Sequence, residues 1–546
     1  MTKRIAVICY FIIATLFLLV RAMQGFSYLD IGMYMSGYEH FNDDPITIYY
    51  VGQWLMSFEF SGWIMRLFSF DSYYGLRIMR TVLVIAMEIA IYLHLRHYMP
   101  RRYILLGLAI ATIAQQESYA DINYNDYSAF FLCLSLLFYH RGVSAENRNM
   151  LFFFLSGLVV GLSIFFRMTN FSFLILPLCA MIVLPVTGCR NPSFRNLPFF
   201  YVGTVIGMSL MLVVIYFTGK WQALMMTFSD LFSIGSRADD PHNLKNVFIW
   251  LYDIFKHEIQ AGAIVLFITA IYAVLHYRFK QRLVQAGLFV GFAFLIWLNV
   301  YLHEQISDVI VGVCWFVMLG LIAKPSFRRG PVSLFAIAFL FPILLPIGTN
   351  GGSIFIGQNL VFLPLPVAIY ILSLNIRVGQ NEYISKFRLL PLAVLGCLVF
   401  TFMYTDLKRP MSEDGYRLIC RYKIDSPLTR HIYTTKDNAD TLNYLIESLK
   451  GKYLDDDYLF CNFNIPIVSL LECKPYGVFS TVFCSTYMST HYLSVAENHL
   501  HRLPCLLLEP GNMSERDEEL VEYMKTRAKY KKVWSDGRYE LLKPQE

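Results

Sequence analysis

Apolar runs of about 18 residues, each long enough to cross a bilayer core of ~30 Å, recur from the N-terminus to about residue 404. They predict thirteen spans, at roughly 5–22, 75–94, 103–117, 125–140, 150–166, 171–187, 199–217, 260–276, 284–302, 309–323, 331–348, 359–375 and 389–405. The first run follows Met-Thr-Lys-Arg and meets Arg21 with no small-residue cleavage site, so it reads as a retained helix. Between about 22 and 74, and again between about 218 and 259, the pattern changes. The stretches YYVGQWLMSF, SGWIMRLF, WQALMMTFSDLF and NVFIWLYDIF are amphipathic and too short or polar to span. They are predicted to lie in the interface, with Trp54 and Trp63 as anchors.

After about residue 406 the pattern is that of a small α/β domain. A helix is predicted over Thr435–Leu449, strands at DYLFCNF and PCLLLEP, and a short helix at IPIVSLLE. A helix from Ser514 to Tyr530 opens on a capping residue and acids and ends on lysine. KKVWSD and RYELLKP form a strand pair around Asp536-Gly537. The expected architecture is an all-α polytopic membrane domain over 1–405 and a soluble α/β domain over 406–546.

Charge orients this plan. One set of loops carries Arg96, Arg101 and Arg102; Arg141 and Arg148; Arg190 and Arg195; Arg278, Lys280 and Arg282; Lys324, Arg328 and Arg329; and Arg377, Lys386 and Arg388. The short loops near 118–124, 303–308 and 349–358 carry no Lys or Arg. The positive-inside rule then puts the N-terminus in the cytoplasm, and an odd number of spans puts the α/β domain outside. The expected location is a multi-pass plasma (inner) membrane. With 56% hydrophobic and 16% charged residues, the chain is not an ordinary soluble protein. Its basic residues cluster at span ends, which excludes a nucleic-acid footprint. The tail holds Cys420, Cys461, Cys473, Cys484 and Cys505, an odd set that allows one or two disulfides. No Gly-rich phosphate loop occurs there, which argues against a nucleotide site.

Ionisable groups at a membrane edge are costly and tend to mark sites. Asp30 lies just beyond the first span. Glu117, Asp121 and Asp126 cluster in QQESYADINYNDY, and Arg167 ends the fifth span in FFRMTN. His303, Glu304 and Asp308 lie in LHEQISD. By the topology above these share the extracytoplasmic side. For the loop acids a solvated surface is the plain alternative. For Arg167 it is snorkelling, for Asn123 and Asn125 capping of the fourth span, and for His303 a satisfied interface histidine. Arg77 and Arg80 have a structural alternative as salt-bridged groups at the start of span two. Glu88, in mid-span, is expected to have a structural partner.

The LDIGMYM segment resembles the first-loop acidic motif of the GT-C glycosyltransferases, polytopic enzymes that use polyprenyl-phosphate sugars. INYNDYSAFFLCL is similar to the segment opening span four in bacterial members, and GLVVGLSIFFRMTN to their Gly-rich span five ending in a basic residue. The usual acidic pair of the first loop is absent, since Ile31 follows Asp30.

The resemblance implies an inverting transfer of a sugar from a polyprenyl-phosphate donor to a glycan, lipid or protein acceptor. In it Asp30 is the general base, and Arg167, with Arg66 as alternate, binds the donor phosphate. Tyr34, Glu117, Asp121, Asn123, Asp126 and His303 are candidates for substrate binding or a second acid. No cofactor is required; a divalent cation (Mg or Mn) on Glu117 and Asp121 is an open alternative. Three rivals stay open: a lipid-linked glycan polymerase or ligase, a transporter or flippase without transferase activity, and a non-catalytic assembly subunit.

Overall fold

The computed structural model describes residues 2–26, 30–68, 72–114, 121–144, 149–189, 196–236, 243–279, 281–303, 306–323, 329–347, 361–375, 414, 419–477 and 486–545. Helix α1 (Thr2–Ala22) is followed in the chain by α2 (Asp30–His40). A 3-10 turn (Tyr49–Trp54) runs into α3 (Leu55–Phe68). Then follow α4 (Tyr73–Leu95), α5 (Arg101–Ala114), α6 (Tyr124–Ser144), α7 (Asn149–Ser163), α8 (Leu176–Val186), α9 (Leu197–Phe217) and α10 (Trp221–Ser236). The helical part continues with α11 (Leu244–Arg278), α12 (Arg282–His303), α13 (Ile306–Ala323), α14 (Arg329–Ala338), α15 (Leu340–Leu344) and α16 (Pro364–Asn375).

Helices occupy the predicted positions as far as Asn375, whereas the last predicted span, 389–405, lies outside the described residues. Among the described residues, five helical stretches are long and apolar enough to cross a membrane: Arg4–Ala22, Tyr73–Leu95, Met168–Val186, Leu197–Phe217 and Lys245–His276. Among the others, Met150–Ser163, Asp308–Ala323 and Gly330–Leu344 are apolar but shorter. The chain is a helical membrane protein. NVFIWLYDIF is not a separate interfacial piece. It forms the first third of α11, 35 residues long, because no proline interrupts the run. At 1.5 Å per residue that helix is about 50 Å long, so it extends well past a bilayer core.

The helices meet closely where glycine allows it. Gly157 and Gly161 on α7 face Gly203 and Gly207 on α9. A Cβ on Gly157 would collide with the Phe200 carbonyl, and one on Gly161 with that of Thr204. On the facing helix, a Cβ on Gly203 would strike the Phe154 carbonyl and one on Gly207 that of Leu158. This is a small-residue seam of the kind that lets membrane helices approach backbone to backbone. Gly262 and Gly312 make the same close crossing between α11 and α13. Buried Glu88 on α4 accepts from Tyr10 (3.0 Å) and from Thr112, so this mid-span carboxyl has structural partners.

The tail carries α17 (Lys436–Leu449), β1 (Tyr458–Cys461), α18 (Ile467–Leu470), β2 (Lys474–Pro475), α19 (Thr486–Leu500), β3 (Cys505–Leu508), α20 (Glu515–Arg527), β4 (Tyr530–Ser535) and β5 (Glu540–Pro544). The sheet order is β2-β1-β3-β5-β4, parallel over the first three strands and antiparallel over the last. Ser514 and Asp517 form a reciprocal capping box on α20.

Helix α19 was not foreseen, since its composition is rich in Ser, Thr, Tyr and His. Its buried face (Ser489, Tyr492, Leu493 and Ala496) nevertheless has helical spacing. Cys461, Cys473 and Cys505 are free and buried, which corrects the disulfide expectation for these three; Cys420 is buried, and Cys484 lies outside the described residues. Burial pushes the thiols of Cys461 and Cys473 up to about 12, so they behave as small apolar groups.

Strand β1 shows how the tail is seated. Leu459 and Cys461 join a buried cluster that runs from the first loop (Phe26, Tyr38, Phe58) into the tail (Leu442, Leu507). Phe460, on the other face, packs with Leu506, Leu520 and Met524. One face of the sheet is therefore buried toward the loop side of the helical part.

Candidate functional site

Helix α7 ends at Ser163, whose hydroxyl donates back to Val160 O (2.8 Å), a bond that competes with helix continuation. Four residues on, Arg167 is extended (φ −158°, ψ 114°) and opens a 3-10 turn over Met168–Ile175. Asn170 fixes this turn by donating to Ser163 O (3.0 Å) and Ser128 Oγ (3.1 Å). Helix α3 is pinned to the same corner: Met56 N donates to Phe165 O (2.9 Å) and Ser57 Oγ to Phe166 O (2.7 Å).

The result is a cavity of about 290 Å³ lined by Gln53, Trp54, Arg167, Thr169, Phe171 and Phe232, among others. Arg167 is 2% exposed. Its Nη1 donates to Leu345 O at 3.2 Å, while Nη2 is buried with no partner among the described residues. Thr169 Oγ1, on the same wall, is also buried and unpaired. The rim is apolar and open, with Phe232 79% exposed. A guanidinium held among apolar walls by one neutral carbonyl is costly. An anion entering the cavity would relieve that cost through charge-assisted bonds.

Aromatic rings extend this wall toward the first loop. Trp54 stacks on Tyr124 (4.4 Å between centroids, 7° between planes), and Tyr34 meets Tyr124 edge-on at 6.1 Å. Tyr34 lies one helical turn after Asp30 on α2. The backbone of Asp30 is thus part of α2, while its side chain lies outside the described residues, as does that of His303 at the end of α12. Glu117 lies wholly outside them.

A second polar junction sits on α4. Arg77, fully buried, donates from Nε to Asp121 Oδ1 (2.9 Å) and from Nη2 to Asp121 Oδ2 (3.4 Å). It also donates to Ala22 O (2.8 Å), Gln24 O (3.3 Å) and Gly25 O (2.9 Å). Arg80 pairs with Asp126 at 3.0 Å. Asp126 accepts from Asn123 N (3.0 Å), and Asn123 Oδ1 accepts from Asn125 N (2.8 Å), a capping arrangement for α6. Asp121, Asn123 and Asp126 thus gather with Arg77 and Arg80, Trp54 lines the cavity with Arg167, and Tyr34 meets the Trp54–Tyr124 stack without lining the cavity. Arg66 does neither: it is exposed and stands 3.6 Å from Asp43. Among the described residues no group of three His, Cys, Asp or Glu could hold a metal ion. With Asp121 engaged by Arg77, the described residues do not fit a divalent cation.

No protein-family model and no curated protein matches the sequence. Solved structures do match. The oligosaccharyltransferase AglB from Archaeoglobus fulgidus, in complex with an inhibitory peptide and a dolichol-phosphate, aligns with TM-score 0.51 and 13% identity. That alignment covers 100% of this chain and 75% of AglB. The Archaeoglobus fulgidus oligosaccharyltransferase with Zn and sulfate aligns at 0.50 and 14%, covering 92% and 68%. ArnT from Cupriavidus metallidurans, in the apo state, aligns at 0.52 and 11% over 99% of this chain and 98% of ArnT. The chain has the GT-C fold.

Tyr34 was a candidate from sequence, but Trp54, Phe228, Phe232, Gln53 and Thr169 of the cavity were not singled out as site residues. The signal for Trp54 and for Phe228 and Phe232 was the amphipathic patterning of their segments, which read as interfacial. Gln53 and Thr169 gave none. Helix α10 also ties the cavity to the tail. Asp230, two residues from Phe228, accepts from Tyr49 OH (2.6 Å) and stands 3.4 Å from His491 of α19. Burial and Asp230 push the Tyr49 phenol well above its ordinary value, which keeps it a donor.

Proposed function

We propose that this protein is a glycosyltransferase that moves a sugar from a polyprenyl-phosphate donor to an acceptor on the extracytoplasmic side. The observation that carries this reading is Arg167: a buried guanidinium with an unpaired Nη2, in an apolar cavity with an open aromatic rim. A lipid phosphate has the chemistry to fill it, since its oxygens match the guanidinium fork and its isoprenoid chain matches the rings. The GT-C fold and the sidedness of the loop charges support the same reading.

In this reading Asp30 takes the proton of the acceptor hydroxyl, and the freed oxygen attacks the anomeric carbon. The bond from that carbon to the phosphate oxygen breaks, the electron pair leaves with the polyprenyl phosphate, and Arg167 holds the added negative charge. Single displacement inverts the anomeric centre. Trp54 and Tyr124 offer ring faces to the sugar.

The test is to incubate the purified full chain with a panel of polyprenyl-phosphate sugars and to detect released carrier by mass. Release by the unaltered protein, and its fall by about 100-fold or more in Asp30→Asn and in Arg167→Gln, is the expected outcome. Full release by both variants would overturn the assignment. Movement of the donor across liposomes without carrier release would point to a flippase instead.

A further inference from the structure

Five residues that precede α2 are held from two sides, and one side belongs to the tail, about 390 residues away in sequence. Arg77 takes the carbonyls of Ala22, Gln24 and Gly25. The tail takes most of the rest. Tyr433 N donates to Met23 O (2.8 Å), Gly25 N donates to Tyr433 O (2.9 Å), and Phe26 N donates to Asp414 Oδ2 (2.8 Å). Gln24 and Tyr433 form a parallel bridge. The segment is not helical; Gly25 has φ +80°, a backbone conformation suited to glycine. Phe26 is fully buried against Tyr73, ring centroids 5.4 Å apart.

Asp414 is organised for this contact. It is 3% exposed, and its Oδ1 accepts from Thr435 N (3.1 Å), Thr435 Oγ1 (2.8 Å) and Asn438 Nδ2 (2.7 Å). Its Oδ2 accepts from Thr434 Oγ1 (2.6 Å) besides Phe26 N. A carboxylate locked by these bonds within its own domain also accepts from the loop. Only three residues separate that bond from Asp30.

We infer that the tail domain positions the first loop for the reaction, with Asp414 the positioning residue that acts through the Phe26 amide, and the Tyr433 backbone completing the clamp. The inference rests on the reading of Asp30 as base. It adds that the α/β domain sets the geometry of that base, beyond any part it plays in covering an acceptor. A misplacement of the order of 1 Å at a reacting group can lower a rate about 100-fold, so loosening this segment should act on turnover more than on donor binding, whose cavity lies around Arg167.

The experiment uses the full chain with Asp414→Asn, which keeps the side-chain shape and presents an NH₂ where one oxygen accepted. Hydrogen exchange at the Gly25 and Phe26 amides reads the clamp without any substrate. Turnover of a polyprenyl-phosphate hexose, split into kcat and donor KM, reads positioning. The expected result is exchange at least tenfold faster and kcat at least tenfold lower, with donor KM within twofold and unfolding temperature nearly unchanged. Faster exchange with unchanged kcat, a loss confined to KM, or unchanged exchange would each overturn the proposal. Gly25→Ala, which strains the same segment from the loop side, repeats the test if Asp414→Asn does not fold. Asp30→Asn bears on the base alone: its full activity would remove that assignment, while the exchange result still reports the clamp.

Discussion

Arg77 and Arg167 are both buried, at 0% and 2% exposure, yet the regions around them differ in a way that separates architecture from site. Arg77 has five acceptors, among them a carboxylate bonded through two nitrogens and three main-chain carbonyls. Its charge is balanced and its donors are occupied, so it fastens α1, α4 and the entry to α6. Among the described residues Arg167 has one carbonyl and an unpaired nitrogen beside a cavity. A polar group left unsatisfied in a folded interior needs a reason, and a ligand that brings the missing charge supplies one.

Four experiments put this contrast at risk. The largest effect is expected at the balanced pair. Asp121→Ala leaves Arg77 uncompensated and should lower stability by about 3–5 kcal/mol, read as loss of monodisperse protein or a fall in unfolding temperature. Arg167→Met should do the opposite to the fold, holding or raising the unfolding temperature because it removes an unpaired charge. The same variant should lose transfer by about 100-fold, some 2.7 kcal/mol. Destabilisation by Arg167→Met comparable to that of Asp121→Ala would erase the distinction. Next, Gly161→Leu should force α7 from α9 and cost about 1–3 kcal/mol. Because Arg167 follows α7 by one turn, donor KM should rise as well; a stability loss without a KM change would uncouple the seam from the cavity.

The smallest effect concerns the contact between α10 and α19. The hydrogen bond to Asp230 raises the His491 pKa above its ordinary value, although burial opposes the shift. The contact's contribution is therefore fully present below the imidazole's unfolded value of about 6.5. It is lost as pH rises through the higher folded value. Amides of α19 should exchange faster from pH 6 to pH 8.5 after correction for intrinsic rates, and His491→Ala should flatten that trend.

The sequence made the helical membrane architecture and most of the tail legible because both have strong periodic signals. Apolar runs mark helices whatever their neighbours, and Ser514 with Asp517 marks a helix start by itself. Arg167 was legible as a charge out of place in an apolar stretch. Its partner state was not, because an orphaned nitrogen is a property of distant groups such as the Leu345 carbonyl. Asp121 and Asp126 read as candidate ligands, and the structure gives them Arg77 and Arg80; four residues of roughly fixed side would suit either role. Asp414 was invisible for the same reason. Nothing near it in sequence says that its acceptor faces the amide of Phe26. Helix α11 was cut in two because polar positions at its start resembled an interfacial segment, while the uninterrupted backbone run decided the matter.

The bond from Phe26 to Asp414 spans 388 positions, and this has a consequence for biogenesis. At a synthesis rate of ~5–20 residues per second, roughly 20–80 s pass between the emergence of one partner and the other. Throughout that interval the first loop has been made but lacks its tail-side holders. On the proposed reading, the first loop would gain its tail-side holders, and with them its working geometry, only after Asp414 and Tyr433 have been made.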